Sequence, residues 1–318
     1  MQIKQLGNSD LNITTIGFGG WAIGGTGYEF AWGPQNDQDS ISAIHRALEL
    51  GINWIDTAPA YGNGHSEEVI VQALASWYGA RPYVFTKCTL HWDEQGKIYK
   101  DLRPQALRQE CEDSLRRLRV DVIDLYQIHW PTDNAEETDG AWQTLADLQK
   151  EGKVRWIGVS NFDVAQLQRA QETAQITSLQ PFYSPIKRDV ETEVLPYCQR
   201  EGIGVIVYSP MHSGLLSGAM THERAKNLPD DDWRSRDPEF NEPKLSNNLI
   251  LAERLRAIGA RYGRSAGETA IAWTLRQPAV TGAIVGARSI KQVEGVIGAA
   301  DFRLSEAEIK MIEEVLPG

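Results

Sequence analysis

The 318-residue chain is acidic, with 32 Lys and Arg side chains against 43 Asp and Glu and a formal charge of −11. This charge disfavours nucleic acid as a partner, because phosphate binding needs a concentrated basic face. Three widely spaced cysteines exclude a disulfide framework or a thiolate zinc site, and no apolar stretch approaches the roughly 20 residues of a membrane span. We expect a soluble cytoplasmic protein that needs no metal and has neither nucleic acid nor membrane as a partner.

The pattern of apolar segments begins with a small hairpin and continues with eight strands. Residues 7–10, Gly-Asn-Ser-Asp, tolerate left-handed geometry and predict the turn of an N-terminal β-hairpin. The runs that follow are mostly rich in Val, Ile and Leu, which is typical of parallel strands covered on both faces. The predicted strands are 15–19, 53–57, 83–87, 122–129, 154–159, 177–181, 203–208 and 281–285.

Helical spacing fills the segments between these strands. Ile41, Ile44 and Leu48 recur at steps of three and four, and Pro104 is placed to open the helix that follows the third strand. Eight strand–helix units predict a (β/α)8 TIM barrel that occupies residues 1–318 as a single domain. A doubly wound open sheet is the alternative, but the GFGG sequence after the first strand does not fit GxGxxG.

Two features of the second half refine this prediction. Residues 211–248 are polar, rich in Asp, Pro and Arg, and without clear periodicity, which predicts a long loop with extra helices after the seventh strand. Ser289 with Gln292, and Ser305 with Glu308, have the spacing of a capping box and predict two helix starts.

Four polar residues lie at or just beyond the ends of the second, third and fourth strands: Asp56, Tyr61, Lys87 and His129. The carboxyl ends of parallel strands meet on one rim, where such barrels bind ligands. A neighbouring ammonium lowers the pKa of a tyrosine, a carboxylate can hold that ammonium, and a histidine can bond a substrate oxygen. Each residue alone could be structural. Together they predict a site that polarises and protonates a carbonyl.

The chain also resembles the aldo-keto reductase superfamily over nearly its whole length. The resemblance rests on GINWIDTAPAYG, VFTK, DLYQIHWP, GKVRWIGVSNF, VYSPM, GLLSG and IVGARS, in that order, and is closest to the bacterial general-stress and inositol-operon branch. It implies that Asp56, Tyr61, Lys87 and His129 form the catalytic tetrad, with Tyr61 as general acid. The implied reaction is hydride transfer from NADPH to an aldehyde or ketone, NADH being less favoured, in a protein that is often monomeric.

The resemblance further implies which residues bind the cofactor. In the family, a Ser-Asn pair and a Gln bind the nicotinamide carboxamide, and a Tyr stacks on the nicotinamide ring. A glycine-rich loop holds the pyrophosphate, and a basic residue after the eighth strand contacts the 2′-phosphate. The predicted residues here are Ser160, Asn161, Gln180, Tyr208, Ser209, Leu215, Ser217, Gly286, Arg288 and Gln292.

The chain departs from the family pattern at both phosphate-binding and adenine-binding positions. Many branches have a lysine directly after the glycine-rich loop, where this chain has Ala219, and a Glu-Asn pair where it has Gly295 and Val296. These departures imply that the contacts with the phosphates and the adenine of the cofactor differ from those in the rest of the family.

Three tryptophans follow the first, third and fourth strands and are predicted to line the substrate pocket: Trp21, Trp92 and Trp130. The alternative to an enzyme is a regulatory barrel that senses nicotinamide redox state and binds a partner, since fold alone does not fix function. The intact tetrad favours the enzyme.

Overall fold

The computed structural model describes residues 1–316 of the protein. Its strands are β1 (Ile3–Gln5), β2 (Asn12–Thr14), β3 (Ile16–Gly19), β4 (Trp54–Asp56), β5 (Tyr83–Cys88), β6 (Leu90–Trp92), β7 (Ile98–Lys100), β8 (Ile123–Ile128), β9 (Val154–Ser160), β10 (Ser178–Gln180), β11 (Gly204–Tyr208) and β12 (Val280–Gly286). Its α-helices are α1 (Asp37–Glu49), α2 (His65–Ala75), α3 (Pro104–Leu118), α4 (Ala135–Lys150), α5 (Val164–Thr173), α6 (Val194–Glu201), α7 (His222–Lys226), α8 (Lys244–Ala260), α9 (Ala266–Thr274), α10 (Ile290–Glu294) and α11 (Glu306–Glu313).

Eight of these strands close a parallel barrel, in the order β3, β4, β5, β8, β9, β10, β11, β12. Each pairs with the next along the chain, and the last returns to the first with Ala283 opposite Ile16. All eight predicted strands are present, so the predicted TIM barrel is confirmed. Because every strand is parallel, the strand ends that carry Asp56, Lys87 and His129 share one rim.

The N-terminal hairpin β1–β2 covers the opposite end of the barrel, as the sequence predicted. Leu6, Leu11 and Ile13 are fully buried and pack into one cluster with the barrel side chains Trp54 and Phe85. The turn needs glycine at residue 7, where φ is +54° and an added Cβ would lie 2.2 Å from the carbonyl oxygen of Thr177. The hairpin therefore leaves the site rim as the open end of the barrel.

The helices form the outer layer, and both helix starts predicted from capping-box spacing are confirmed. Ser305 and Glu308 make the reciprocal bonds of a capping box at α11, as predicted. At α10, Ser289 caps the amide of Gln292, but the Gln292 side chain instead accepts from the amide of Arg288 at 2.7 Å. The helix therefore starts at Ser289 as predicted, but without the reciprocal bond of a capping box, because that glutamine stabilises the preceding turn.

The hairpin β6–β7, which follows β5 directly, has no counterpart in the predicted pattern. Helix α8 begins at Lys244, inside the segment 211–248 that was predicted to be a long loop with extra helices. The rest of that segment contains α7 and the 3-10 turns Leu215–Ser217, Trp233–Arg236 and Pro238–Phe240. The expectation of extra helices after the seventh barrel strand is confirmed. Within residues 1–316, no helix has the length and apolar character needed to cross a membrane.

Candidate active site

The four residues of the predicted tetrad meet at the rim of the barrel. The Lys87 ammonium is completely buried and donates to Asp56 Oδ1 at 2.5 Å and to the carbonyl oxygen of Thr57 at 2.9 Å. It also lies 3.3 Å from the Tyr61 hydroxyl. The ring of His129 meets the Tyr61 ring edge-on, with 5.7 Å between their centroids. One ammonium therefore links the carboxylate to the phenol, and the imidazole borders the same phenol.

A fifth residue completes this network from β10, the strand that lies across the barrel from β4. Gln180, at the end of β10, donates from its side-chain nitrogen to Asp56 Oδ2 at 2.9 Å. Each oxygen of the buried Asp56 carboxylate is therefore bonded, one to Lys87 and one to Gln180. A buried charge needs both a counterion and hydrogen bonds, and this pairing satisfies that requirement.

The electrostatics differ from the expected lowering of the Tyr61 pKa. Burial first, and the Asp56 carboxylate second, raise the pKa of Tyr61 well above its usual range. Burial also lowers the pKa of Lys87, although Asp56 opposes that change. The prediction that Lys87 lowers the Tyr61 pKa was wrong for the free site, because removal of the phenolate from water outweighs the nearby ammonium. Tyr61 is therefore a protonated phenol at neutral pH, with a hydroxyl that can donate a hydrogen bond.

His129 is the neutral partner in the cluster. Burial, reinforced by the positive charge of Lys87, holds its pKa well below the usual range. A neutral imidazole carries one N–H donor and one acceptor nitrogen, so His129 can donate a hydrogen bond to a substrate oxygen without adding charge. Its backbone carbonyl accepts from the Asn161 side chain at 3.1 Å, which fixes the loop that carries it.

A cleft of about 590 Å³ opens beside the cluster, within the range of roughly 300–1,000 Å³ that is usual for small-molecule sites. Asp56 and Tyr61 lie at one end of this cleft. Seven of the ten predicted cofactor residues line this cleft: Gln180, Tyr208, Ser209, Ser217, Gly286, Arg288 and Gln292. The fold thus places these residues, which come from motifs far apart in the sequence, along one continuous groove.

The other three predicted cofactor residues lie behind that groove. Ser160 is buried and donates to the carbonyl oxygen of Gln180 at 2.7 Å. Asn161 bridges Ser160 and the Tyr208 hydroxyl, at 3.0 Å to each. The side chain of Leu215 is fully buried, in an apolar cluster with Phe240. These residues support the groove wall, and their direct contact with a cofactor stays a prediction.

Arg288 is held by a loop on the far side of the groove. Its guanidinium donates to Gln35 Oε1 at 2.7 Å, to the Trp32 carbonyl at 2.9 Å and to the Pro34 carbonyl. Gln35 in turn donates to the Arg288 carbonyl at 3.0 Å. All three acceptors are neutral. Arg288 thereby joins the loop after β3 to the turn after β12.

An aromatic lid, formed by Trp21, Trp32 and Trp233, covers the tetrad end of the groove. Trp21 stacks on Trp233 at 5.2 Å and on Tyr61 at 6.2 Å between centroids, and meets Trp32 edge-on at 5.1 Å. The buried guanidinium of Arg234 lies 4.6 Å from the centre of the Trp32 ring and pairs with Asp232 at 2.5 Å. The lid therefore joins the loop after β3 to the segment after β11, whose strands are separated in the barrel by β12 alone.

Of the three lid residues, only Trp21 was predicted to line the substrate pocket, and neither Trp32 nor Trp233 was predicted as a site residue. The dipeptide Trp233-Arg234 lies in the segment that lacks periodicity. Trp32 lies 13 residues beyond Gly19, the last residue of β3, so no strand end marks it. A run of aromatic and basic residues in an acidic loop was the available signal.

The other two predicted substrate residues lie outside the cleft. Trp92 belongs to the rim hairpin, where it pairs with Ile98. Trp130 is 40% exposed, with the Lys100 ammonium 5.8 Å from its ring centre. Neither lines the groove that contains Tyr61. Their contact with substrate stays a prediction.

A sequence profile of the Aldo/keto reductase family matches residues 15–317. The chain belongs to the aldo/keto reductase family. It is an NAD(P)H-dependent enzyme, and the substrate class is a small carbonyl compound.

Curated relatives cover almost the whole aldo-keto reductase chain. The aldo-keto reductase YhdN of Bacillus subtilis is 36% identical over 99% of this chain and 94% of its own length. The NADH-specific methylglyoxal reductase of Escherichia coli is 33% identical over 99% of this chain and 98% of its own length. Among solved structures, the glycerol dehydrogenase AKR11B4 from Gluconobacter oxydans is 38% identical with a TM-score of 0.88, over 98% of this chain and 94% of that one.

The groove fits the nicotinamide cofactor that the family uses. Its wall contains the cations Arg224, Arg234, Arg288 and Lys291, whereas its one carboxylate, Asp56, is paired with Lys87. Gly214 and Gly218 adopt φ values of +89° and +80°, which curves the loop 209–218 along the groove. A groove lined by cations suits an anionic dinucleotide, and Asp56 and Tyr61 lie at one end of it.

Proposed function

We propose that this protein reduces small aldehydes and ketones to alcohols with NADPH, with Tyr61 as the general acid. The observation that carries the proposal is the bonded series Gln180–Asp56–Lys87–Tyr61 at the end of a cationic groove. A bound nicotinamide would supply the hydride. The tetrad would supply the proton and hold the carbonyl in place.

Each tetrad residue has a task that follows from its surroundings. The raised pKa of Tyr61 keeps its proton in place until negative charge develops on the substrate oxygen. Lys87 then stabilises the resulting phenolate, from 3.3 Å, and Asp56 keeps that ammonium oriented. Neutral His129 donates a hydrogen bond to the same oxygen.

The preference for NADPH rests on Arg288. Its present acceptors are neutral groups of residues 32–35, and a phosphate dianion is a stronger acceptor for a guanidinium than a carbonyl or an amide. A 2′-phosphate at this turn would therefore compete with that loop for Arg288. The E. coli relative named above is NADH-specific, so cofactor choice needs its own measurement.

The substrate proposal follows from the lid. Trp21 stacks over Tyr61, and Trp233 stacks over Trp21. Flat aromatic walls around one polar focus suit compact carbonyl compounds with a short carbon chain. Methylglyoxal and glyceraldehyde are suitable first substrates, because relatives are named for methylglyoxal reduction and glycerol oxidation.

The test is a panel of short aldehydes and ketones assayed with NADPH and with NADH, following loss of the reduced nicotinamide absorbance. We expect turnover of several substrates and a higher kcat/KM for NADPH. A folded sample that oxidises neither cofactor with any substrate would refute the enzyme, and equal use of both would refute the NADPH preference. We also propose a monomer as the working form, which sedimentation at assay concentration would test.

A further inference from the structure

A second buried carboxylate lies behind the tetrad, on helix α2. Glu67 is fully buried, and its Oε1 accepts from the Thr86 hydroxyl at 2.7 Å. Its Oε2 accepts from Arg117 Nε, on helix α3, at 2.6 Å. Both oxygens are therefore bonded, one to a strand of the barrel and one to the outer layer of helices.

Thr86 connects this carboxylate to the tetrad. It directly precedes Lys87 on β5, and successive side chains of a strand point to opposite faces. The Lys87 ammonium points into the barrel and donates to Asp56, whereas the Thr86 hydroxyl points outward and donates to Glu67. Glu67 thus holds the residue next to Lys87 from the other face of the strand.

The helical turn that carries Glu67 is itself fixed against the site. The preceding residue, Ser66, is fully buried, and its amide donates to the Tyr61 carbonyl at 3.1 Å. The Ser66 hydroxyl donates to the Gly20 carbonyl at 2.8 Å. The first turn of α2 therefore has a set position relative to both Tyr61 and the end of β3.

The charge of Glu67 also acts on Lys87. Four titratable groups surround the Lys87 ammonium: Asp56, Tyr61, His129 and Glu67. Burial lowers the pKa of Lys87, and the carboxylates of Asp56 and Glu67 oppose that change. The counterion of Glu67, Arg117, is 19% exposed, so water screens its charge more than that of the carboxylate. The pair as a whole therefore favours the ammonium form of Lys87.

We propose that Glu67 is a positioning residue for carbonyl reduction, which holds β5 through Thr86 and keeps Lys87 an ammonium beside Tyr61. The inference rests on the proposed function, because Glu67 matters to turnover only if Lys87 stabilises a phenolate at Tyr61. It adds to the tetrad a residue that acts through Lys87 and not on the substrate itself.

Glu67→Gln is the test, because it removes the charge and keeps an acceptor for the Thr86 hydroxyl. Without the carboxylate, Lys87 releases its proton at lower pH, and the Tyr61 phenolate then lacks its counterion. We expect the alkaline limb of the kcat profile to move down by roughly one pH unit, a common effect of a nearby charge, with KM for NADPH unchanged. Nuclear magnetic resonance of isotope-labelled lysine Cε atoms should show Lys87 titrating at lower pH, its signal being assigned by its loss in Lys87→Met.

Asp124→Asn is the matched control. Asp124 is also a buried carboxylate bonded to an arginine, Arg155 at 2.7 Å, but that arginine pairs with Asp10 of the N-terminal hairpin, at the other end of the barrel. This variant should lower stability and leave the kcat profile and the Lys87 titration unchanged. If Glu67→Gln does not fold because Arg117 loses its partner, the double variant Glu67→Gln with Arg117→Gln removes the whole pair and should show the same shift.

Three outcomes decide the proposal. An unchanged Lys87 titration, or an unchanged kcat profile, would overturn it. A fall in kcat that is equal at every pH would show that Glu67 supports only the fold, and would overturn it as well. If the Lys87 titration shifts while the wild type reduces no carbonyl, the action of Glu67 on Lys87 stands and the proposed catalytic function falls.

Discussion

At the scale of single residues, Tyr61 combines a high pKa with a nearby positive charge. Burial keeps its proton in place in the free enzyme, while Lys87 at 3.3 Å favours the phenolate once that proton has moved. A group with this environment gives up its proton only to a strong base, such as the oxyanion that hydride addition creates. The same environment protects the free enzyme against ionisation of Tyr61 at neutral pH.

Tyr61→Phe keeps the ring and removes the proposed proton donor. We expect kcat to fall by roughly 10²- to 10⁴-fold, the usual contribution of general acid catalysis, while the affinity for NADPH stays close to wild type. Steady-state kinetics and cofactor titration measure the two effects. Tyr28→Phe is the control, since Tyr28 is a neighbouring tyrosine whose hydroxyl bonds only weakly to the Trp21 carbonyl, at 3.4 Å. A near-normal kcat in Tyr61→Phe would transfer the proton-donor role to His129.

Arg288→Ala addresses cofactor choice. A hydrogen bond to a charged group contributes about 1.5–3 kcal/mol, but Arg288 must first give up its bonds to Trp32, Pro34 and Gln35. We therefore expect a loss near the lower end, about tenfold, in NADPH affinity and little change for NADH. Fluorescence titration with both cofactors measures this. Equal losses for both would show that Arg288 acts through the loop and does not read the 2′-phosphate.

At the scale of elements, helix α3 supports the strand end that carries Lys87. Glu110 on this helix is buried and accepts from the amide of Thr89, a residue with φ of +84° just beyond β5. Burial raises the pKa of Glu110 well above its usual range and lowers that of His91, 3.5 Å away. Both shifts favour neutral forms, so this contact is not an ion pair at neutral pH. The helix thus holds a strained turn through a carboxyl that resists ionisation.

Glu110→Gln keeps an acceptor for Thr89 and removes the titration. In the native state Glu110 binds a proton at pH values where the unfolded chain has released it, so its contribution to stability falls as pH rises above the ordinary glutamate pKa of about 4.3. We expect the melting temperature of the variant, relative to that of the wild type, to be higher at pH 8 than at pH 5. Calorimetric melts at both pH values measure the gain. A constant difference would show that Glu110 is ionised in the native protein.

The predictability of each element depended on how local its determinants are. The eight barrel strands were predicted because their buried faces give continuous apolar runs, and the tetrad because strand ends mark its positions. The hairpin β6–β7 was missed since its strands are three residues long, although Asp93 and Gly96 mark its turn. The pairing of Trp21 with Trp233 joins residues 212 positions apart, and no spacing in the sequence indicates such a contact.

At the scale of the whole molecule, charge is distributed unevenly. The net charge of −11 keeps anions away from the surface in general, while the groove presents Arg224, Lys291 and Arg288 beside a single paired carboxylate. The barrel allows this because parallel strands deliver all ligand-binding loops to one rim, and the hairpin β1–β2 closes the other end. Long-range repulsion and local attraction therefore act on the same anionic cofactor.

This arrangement predicts a cofactor stabilisation that depends strongly on salt. NADP⁺ at a hundred times its Kd should raise the free energy of unfolding by about 2.7 kcal/mol. With an unfolding entropy of about 2.1 cal/mol/K per residue, a chain of this length should gain roughly 4 °C in Tm. At the same NADP⁺ concentration, salt that weakens binding tenfold should leave about half of that gain, because surface charge attraction is screened within about a Debye length. Calorimetric melts with and without NADP⁺, each against the free protein at the same salt concentration, measure the gain. A shift unaffected by salt would show that the groove binds the cofactor through neutral contacts and that its cations serve only the fold.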